Sequence, residues 1–271
     1  MATTQNNNRL AVLIDADNAQ PSVIEGLLAE VAKLGVASVK RIYGDWTSTV
    51  TTQWKQSLLR YSITPVQQFA YTKGKNATDA SLIIDAMDLM HTHRFGGFCL
   101  VSSDSDFTAL ARRLREEGLV VYGFGERKTP DAFVAACDKF IYTEVLRPAS
   151  PEAVITVHEA PNPSKRKETS EVADSVAPAP TAVSSKPVEN KQVPLDLIRQ
   201  AIEEESDDTG WAGLGAVGSY IQRIRADFDV RLYGCKKLSD LLKKYPKHFD
   251  IEERSAPNSS TKTVYVRKSV K

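Results

Sequence analysis

What the 271 residues lack narrows the field first. There are three cysteines, Cys99, Cys137 and Cys235, odd in number and far apart. That spacing fits neither a disulfide framework nor a C-x-x-C metal site, so they read as reduced thiols, Cys99 as a packing residue. Histidines number four, and His91 and His93 read as helix-end residues. No apolar run approaches the roughly 18 residues needed to span a bilayer, and the first residues carry no basic-then-apolar leader pattern. The expectation is a soluble, intracellular, cytoplasmic protein with no membrane association. A formal net charge of +1 favours no partner by itself, which leaves the question of a polyanionic partner to the local charge distribution.

What is present is a chain long enough for two domains. From Arg9 to about Arg147, apolar runs alternate with segments of helical spacing. The runs are Arg9 to Ile14, Ser38 to Tyr43, Thr64 to Phe69, Phe98 to Val101, Leu119 to Gly123 and Phe140 to Tyr142. This βαβα order predicts an α/β fold, a largely parallel sheet flanked by helices, over residues 8–147. Between the third run and the next helix lies a loop with Lys73 and Lys75. Thr78 is placed to cap that helix, whose apolar face reads as Ala80, Ile83, Ile84, Met87 and Met90. Gly123-Phe-Gly125 begins the loop after the fifth run and reads as a tight strand exit.

Residues 148–190 hold seven of the 13 prolines and no aromatic residue. They predict a flexible Pro/Ala/Ser-rich linker, because such a stretch buries too little surface to offset its ordering entropy. Order returns over 191–271. Apolar positions at Leu195, Ile198 and Ile202, at Leu214, Val217 and Ile221, and at Leu238, Leu241 and Leu242 predict three helices. Two runs, Phe249 to Glu252 and Thr263 to Arg267, predict a hairpin, and the whole reads as a small winged-helix-like α+β domain. Lys and Arg outnumber Asp and Glu here by 15 to 12, whereas the first 147 residues balance at 16 each.

The chemistry concentrates where apolar runs stop. The first ends in Asp15-Ala16-Asp17-Asn18, the fourth in Ser102-Ser103-Asp104-Ser105-Asp106, and Asp79 opens a helix. Parallel strands bring their carboxyl ends to one edge of a sheet, so these acids are expected to converge. Two like charges about 4 Å apart repel by roughly 4 kcal/mol at a surface-like dielectric, so such a cluster needs protons or a cation. Oxygen ligands with no cysteine or histidine among them select Mg²⁺ or Mn²⁺, ions suited to phosphodiester hydrolysis. Each acid also has a plainer reading. Asp104 or Ser105 can cap the following helix, Asp17 can cap the first one, and Asn18 can be a turn residue. At about 100° per residue, Asp85 and Asp88 point some 120° and 180° away from Asp79, making Asp85 a hydrogen-bonded or supporting carboxylate and Asp88 a solvated one.

At this point the chain resembles a known family. Val-Leu-Ile-Asp15-Ala-Asp-Asn18, Lys-Gly-Lys-Asn-Ala-Thr-Asp79-Ala-Ser-Leu-Ile-Ile-Asp85 and Leu-Val-Ser-Ser-Asp104-Ser-Asp106-Phe resemble the three ordered motifs of the NYN domain. This is the PIN-like ribonuclease branch that includes LabA-like and limkain-type proteins. The resemblance implies a PIN-like fold and divalent-metal-dependent RNA cleavage. Asp15, Asp79, Asp104 and Asp106 would hold the metal and carry catalysis, with Asn18, Asp17 and Asp85 in support. Lys73 and Lys75 are candidate substrate contacts.

The second region resembles the LOTUS domain, also called OST-HTH, through Leu195-Asp-Leu-Ile-Arg-Gln-Ala-Ile, Tyr233-Gly-Cys-Lys236-Lys237-Leu238 and Tyr265-Val-Arg267. The resemblance implies binding of RNA or of a protein partner. Lys236, Lys237, Lys243 and Lys244, with Arg225 and Arg231 nearby, are the candidate RNA contacts. Two other functions compete. Asp15-Ala-Asp17 imitates the D-x-D of haloacid-dehalogenase-type phosphatases, although Asn18 departs from their pattern. A regulator that binds RNA without cleaving it would keep the same acids. Oligomeric state is not legible.

Overall fold

A computed structural model describes residues 8–48, 50–69, 77–147, 192–255 and 262–269. The first region runs β1 (Arg9–Asp15), α1 (Ile24–Leu34), β2 (Val36–Gly44), α2 (Lys55–Tyr61), β3 (Thr64–Gln67), α3 (Ala77–His91), β4 (Gly97–Val101), α4 (Thr108–Glu116), β5 (Val120–Gly125), α5 (Asp131–Ala136) and β6 (Lys139–Tyr142). The six strands form one sheet in the order β3-β2-β1-β4-β5-β6, and every pairing is parallel. The sheet therefore reverses its winding between β1 and β4, the kind of switch point where open α/β sheets leave a crevice beyond the strand ends.

The central strands are apolar on both faces because both are covered. Leu10, Val12 and Ile14 of β1 join one core layer with Ile24, Leu27 and Val31 of α1 and with Trp54. Ala11 and Leu13 join the opposite layer with Leu82, Ala86 and Leu89 of α3 and Leu110 and Leu114 of α4. Three local expectations are corrected. Helix α3 already includes Thr78, which lies in its first turn and not before it. Its buried stripe is Leu82, Ala86, Leu89 and Met90, while Ile84 is 63% exposed. Strand β5 continues through Gly123 and Gly125, which pair with Phe140 and Tyr142 of β6, and Gly123 is required to be glycine because a Cβ there would lie 2.4 Å from the Phe140 ring.

The second region comprises α6 (Leu195–Glu204), β7 (Ala212–Gly213), α7 (Leu214–Ile224), α8 (Leu238–Lys243), β8 (Phe249–Ser255) and β9 (Lys262–Lys268). Its strands form an antiparallel sheet in the order β7-β9-β8. Ile198, Val217, Ile221, Leu241, Leu242 and Val266 are its fully buried apolar centre, the winged-helix arrangement of three helices under a small sheet. It lies in the same compact unit as the first region. The edge strand β6 donates the Phe140 amide to the Ala226 carbonyl at 2.9 Å. The Tyr142 hydroxyl donates to Asp227 at 2.9 Å, and Arg231 reaches Glu30 of α1 at 3.0 Å. These contacts cover part of an edge that would otherwise present unpaired backbone groups. The expected linker at 148–190 lies outside the described residues. No described helix is long and apolar enough to cross a membrane.

Candidate metal centre

Alternation along the strands aims the acids. Asp15 continues the series Ala11, Leu13 and so turns toward α3 at the carboxyl end of β1. Ser102, which follows β4, continues the series Phe98, Leu100 toward the same layer. The two meet: the Ser102 hydroxyl donates to Asp15 Oδ2 at 2.8 Å. Asn18 Nδ2 donates to the same oxygen at 2.7 Å, and the Asp17 amide to Oδ1 at 3.0 Å. Asp15 is 0% exposed. Burial raises its pKa, against the lowering effect of those three hydrogen bonds.

Asp79 sits three residues before Leu82 and seven before Ala86, on the inward stripe of α3, so that stripe carries it to the crevice. Asp104 caps the turn that leads into α4, its side chain accepting the Asp106 amide at 2.9 Å. One carboxylate oxygen from each of Asp79, Asp104 and Asp106 lies within 4.8 Å of the others. Three acids from two separated segments thus come together. Burial and the charges of Asp15, Asp104, Asp106 and Asp17, in that order, push the Asp79 pKa up to about 6. Carboxylates so crowded resist ionising together, and a doubly charged cation removes that cost.

The expected four-acid set is therefore arranged in two parts. Asp79, Asp104 and Asp106 form the triad, and Asp15 is outside it but is first among the neighbouring charges that raise the Asp79 pKa. Asp17 is exposed and adds the smallest of those charges. Asp85 turns away from the triad and accepts hydrogen bonds from Arg41 and Tyr43 of β2. Nothing in the sequence pointed to those two partners except their i, i+2 spacing on one face of β2. Ser102 was also missed as the tie between β1 and β4, and the hydroxyl following an apolar run was its only signal. Lys73 and Lys75 lie outside the described residues.

An all-oxygen triad whose ligand atoms lie within 4.8 Å of one another fits a hard divalent cation such as Mg²⁺, which is held by few carboxylates and keeps several waters. It also weighs against an Asp15 nucleophile of the phosphatase kind, because that carboxylate is buried and its oxygens are already occupied by donors. In the second region Lys236, Lys237, Lys243 and Lys244 are exposed. Two basic candidates are spent: Arg225 pairs with Asp227 at 2.9 Å, and Arg231 pairs with both Asp229 and Glu30.

The family model described as NYN domain matches residues 9–146. The chain belongs to that family. A second model, the OST-HTH/LOTUS domain, matches residues 189–261, so an NYN domain is followed by a LOTUS domain in that order. This places the NYN domain in the PIN-like nuclease superfamily, whose members typically use divalent metals. No curated protein matches the chain. An uncharacterized protein of Nitrosomonas europaea, solved by NMR, is 42% identical over 36% of this chain and 94% of its own, with a TM-score of 0.28. A protein of Chromobacterium violaceum is 32% identical over 31% and 87%, with a TM-score of 0.25. A protein of unknown function from Vibrio parahaemolyticus is 18% identical over 51% and 94%, with a TM-score of 0.42.

Proposed function

We propose that this NYN–LOTUS protein is a Mg²⁺- or Mn²⁺-dependent ribonuclease that hydrolyses RNA phosphodiesters at the aspartate crevice. The observation that carries the reading is the convergence of Asp79, Asp104 and Asp106 within 4.8 Å at the sheet's switch point. These three carboxylates would hold the ion. When bound, it would supply Lewis-acid stabilisation of the charge that grows on the phosphoryl oxygens. The rest falls to the chain itself. The Asp106 amide fixes the Asp104 carboxylate, and Asp79 is charged and able to ligate above about pH 6. Asp15, locked by Ser102, Asn18 and the Asp17 amide, adds negative potential near the ion and joins β1 to β4. Lys236, Lys237, Lys243 and Lys244 of the LOTUS domain bind RNA phosphates.

Purified protein incubated with end-labelled single-stranded RNA tests this directly. Cleavage with Mn²⁺ or Mg²⁺, its loss with EDTA, and its loss in both Asp79→Asn and Asp104→Asn are the expected results. Metal-independent cleavage, or full activity in either variant, would remove the reading. RNA binding without cleavage at any metal concentration would leave a binding regulator in its place.

A further inference from the structure

A groove of about 460 Å³ opens where the LOTUS domain meets the NYN domain, away from the aspartates. Its lining includes Lys33 of α1, Lys139 at the start of β6, Lys236 and Lys237 before α8, and Ser219 and Gln222 of α7. We infer that this groove is a composite track for the phosphate backbone of single-stranded RNA, in which Lys33 and Lys139 complete a site begun by Lys236 and Lys237. This deepens the RNA reading above and rests on it.

Charge decides what can lie there. Five basic side chains line the groove against two acids, Glu30 and Asp229. Arg231 pairs with both acids, at 3.0 Å to Glu30. Lys139, Lys236 and Lys237 have no acidic partner among the described residues. Lys33 also touches Glu30, but its side chain is 65% exposed, and because Arg231 already answers Glu30, the ammonium is available to turn to an incoming phosphate. The wall is built for close approach. Gly215, Gly218, Ser219 and Gln222 recur at helical spacing along α7, and nothing lies within 4 Å of where a Cβ on Gly215 would stand. A strand backbone can therefore lie against this wall and take hydrogen bonds from Ser219 and Gln222. A helical protein partner would want a row of open apolar contacts, whereas the apolar lining is limited to Phe228, which is buried, and the half-buried Val230 and Leu238.

Lys139 is the first residue of β6, and the acids lie past the opposite ends of the strands. Strand rise and strand spacing put the groove on the order of 20 Å from the triad. A stacked strand advances about 3.4 Å per nucleotide, so roughly six nucleotides are needed to occupy both places. Long RNA would be held by the groove and cut at the crevice, whereas very short RNA would be cut without that hold.

The test uses the full chain with fluorescently labelled single-stranded RNA, comparing wild type, the Lys33→Gln/Lys139→Gln double variant and Lys236→Gln/Lys237→Gln, each titrated across salt. Lys33, Lys236 and Lys237 are exposed and Lys139 is half-buried, and thermal unfolding checks that the variants fold. If the groove is composite, each double variant weakens binding on the order of tenfold and reduces the slope of log K against log salt by about 1.4. Oligonucleotides shorter than about six nucleotides, which cannot occupy both places, are then cut alike by all three proteins. Unchanged affinity and slope in Lys33→Gln/Lys139→Gln, with weakening in the other variant, would overturn the composite groove and leave RNA binding to the LOTUS domain alone. A wild-type chain that binds no RNA would instead overturn the RNA reading itself. Displacement of RNA by a polyglutamate peptide of equal charge would assign the groove to an acidic protein.

Discussion

The backbone amide of Asp106 donates to the Asp104 carboxylate at 2.9 Å while both residues stand in the acidic triad with Asp79. Capping and ligation are usually offered as alternatives for an acid after a strand. Here one carboxylate does the first and is positioned for the second. The cap fixes Asp104 before any cation arrives, so the site does not have to order that residue on binding.

Substitutions at Asp104 separate the two roles. Asn is as good a cap as Asp, so Asp104→Asn is expected to change ion-free stability by less than about 0.5 kcal/mol, while Asp104→Ala loses roughly 1 kcal/mol with the cap. Both variants are expected to lose the stabilisation that Mn²⁺ gives the wild type by binding the folded state. Urea unfolding with and without Mn²⁺ measures both quantities, and an Asn variant still stabilised by Mn²⁺ would remove Asp104 from the ligand set.

Asp85 is expected to behave in the opposite way. It braces α3 against β2 through Arg41 and Tyr43, and the Tyr43 pKa is raised well above the usual phenol value by burial and by this carboxylate. Asp85→Ala strands the Tyr43 hydroxyl, which belongs to a residue that is 0% exposed. The cost is about 1–3 kcal/mol. Affinity for Mn²⁺, read by isothermal titration at a temperature where the variant is folded, should stay within about twofold. A much larger loss of affinity would make Asp85 part of the centre.

How much of this was legible beforehand depended on whether one strand or helix decided the matter or two elements together. Strands β1 and β4 were readable because a parallel sheet covered on both faces leaves uninterrupted apolar runs, and the acids at their ends were readable because such runs stop abruptly. The buried side of α3 was not. Leu82, Ile83, Ile84, Ala86, Met87, Leu89 and Met90 offer apolar groups nearly all round the helix, and only the need to seat Leu82 and Ala86 on the sheet selects among them. The bond from Ser102 to Asp15 and the Arg41–Asp85 pair required the register between elements far apart in sequence. Lys33 and Lys139 required the docking of one domain on the other.

Strand β5 gives a packing test. A methyl group on Gly123 would stand 2.4 Å from the Phe140 ring and 2.7 Å from Cys137 Sγ, and Phe140 is buried between neighbours that include Phe133 and Tyr142. Gly123→Ala is therefore expected to cost about 1–3 kcal/mol by overpacking. Gly118→Ala provides a contrast, since nothing lies within 4 Å of its Cβ position and the cost there comes from the left-handed backbone, φ 76°. The double variant Gly123→Ala/Phe140→Leu should recover part of the Gly123→Ala loss in chemical unfolding, and a purely additive result would mean that Phe140 is not the obstacle.

The last prediction concerns protons. Burial and neighbouring carboxylates push the Asp79 pKa up to about 6 from 3.8. The folded chain therefore holds this proton more tightly than the unfolded chain does, and the sign of the linkage is the reverse of that for a salt-bridged acid. In EDTA, the contribution of Asp79 to stability falls as pH rises from about 4 to about 6 and is level beyond. A divalent ion competes with the same proton, so Mn²⁺ affinity should climb through pH 6 and flatten above it. Glu30 adds a pH dependence of the opposite sign, because Lys33 and Arg231 lower its pKa against the effect of burial. The informative quantity is thus the difference between wild type and Asp79→Asn. Urea midpoints in EDTA from pH 4 to pH 8 should show the wild type losing ground to the variant as pH rises. If the wild type gains ground instead, Asp79 is not crowded by like charges, and the argument for a cation at this edge loses its electrostatic basis.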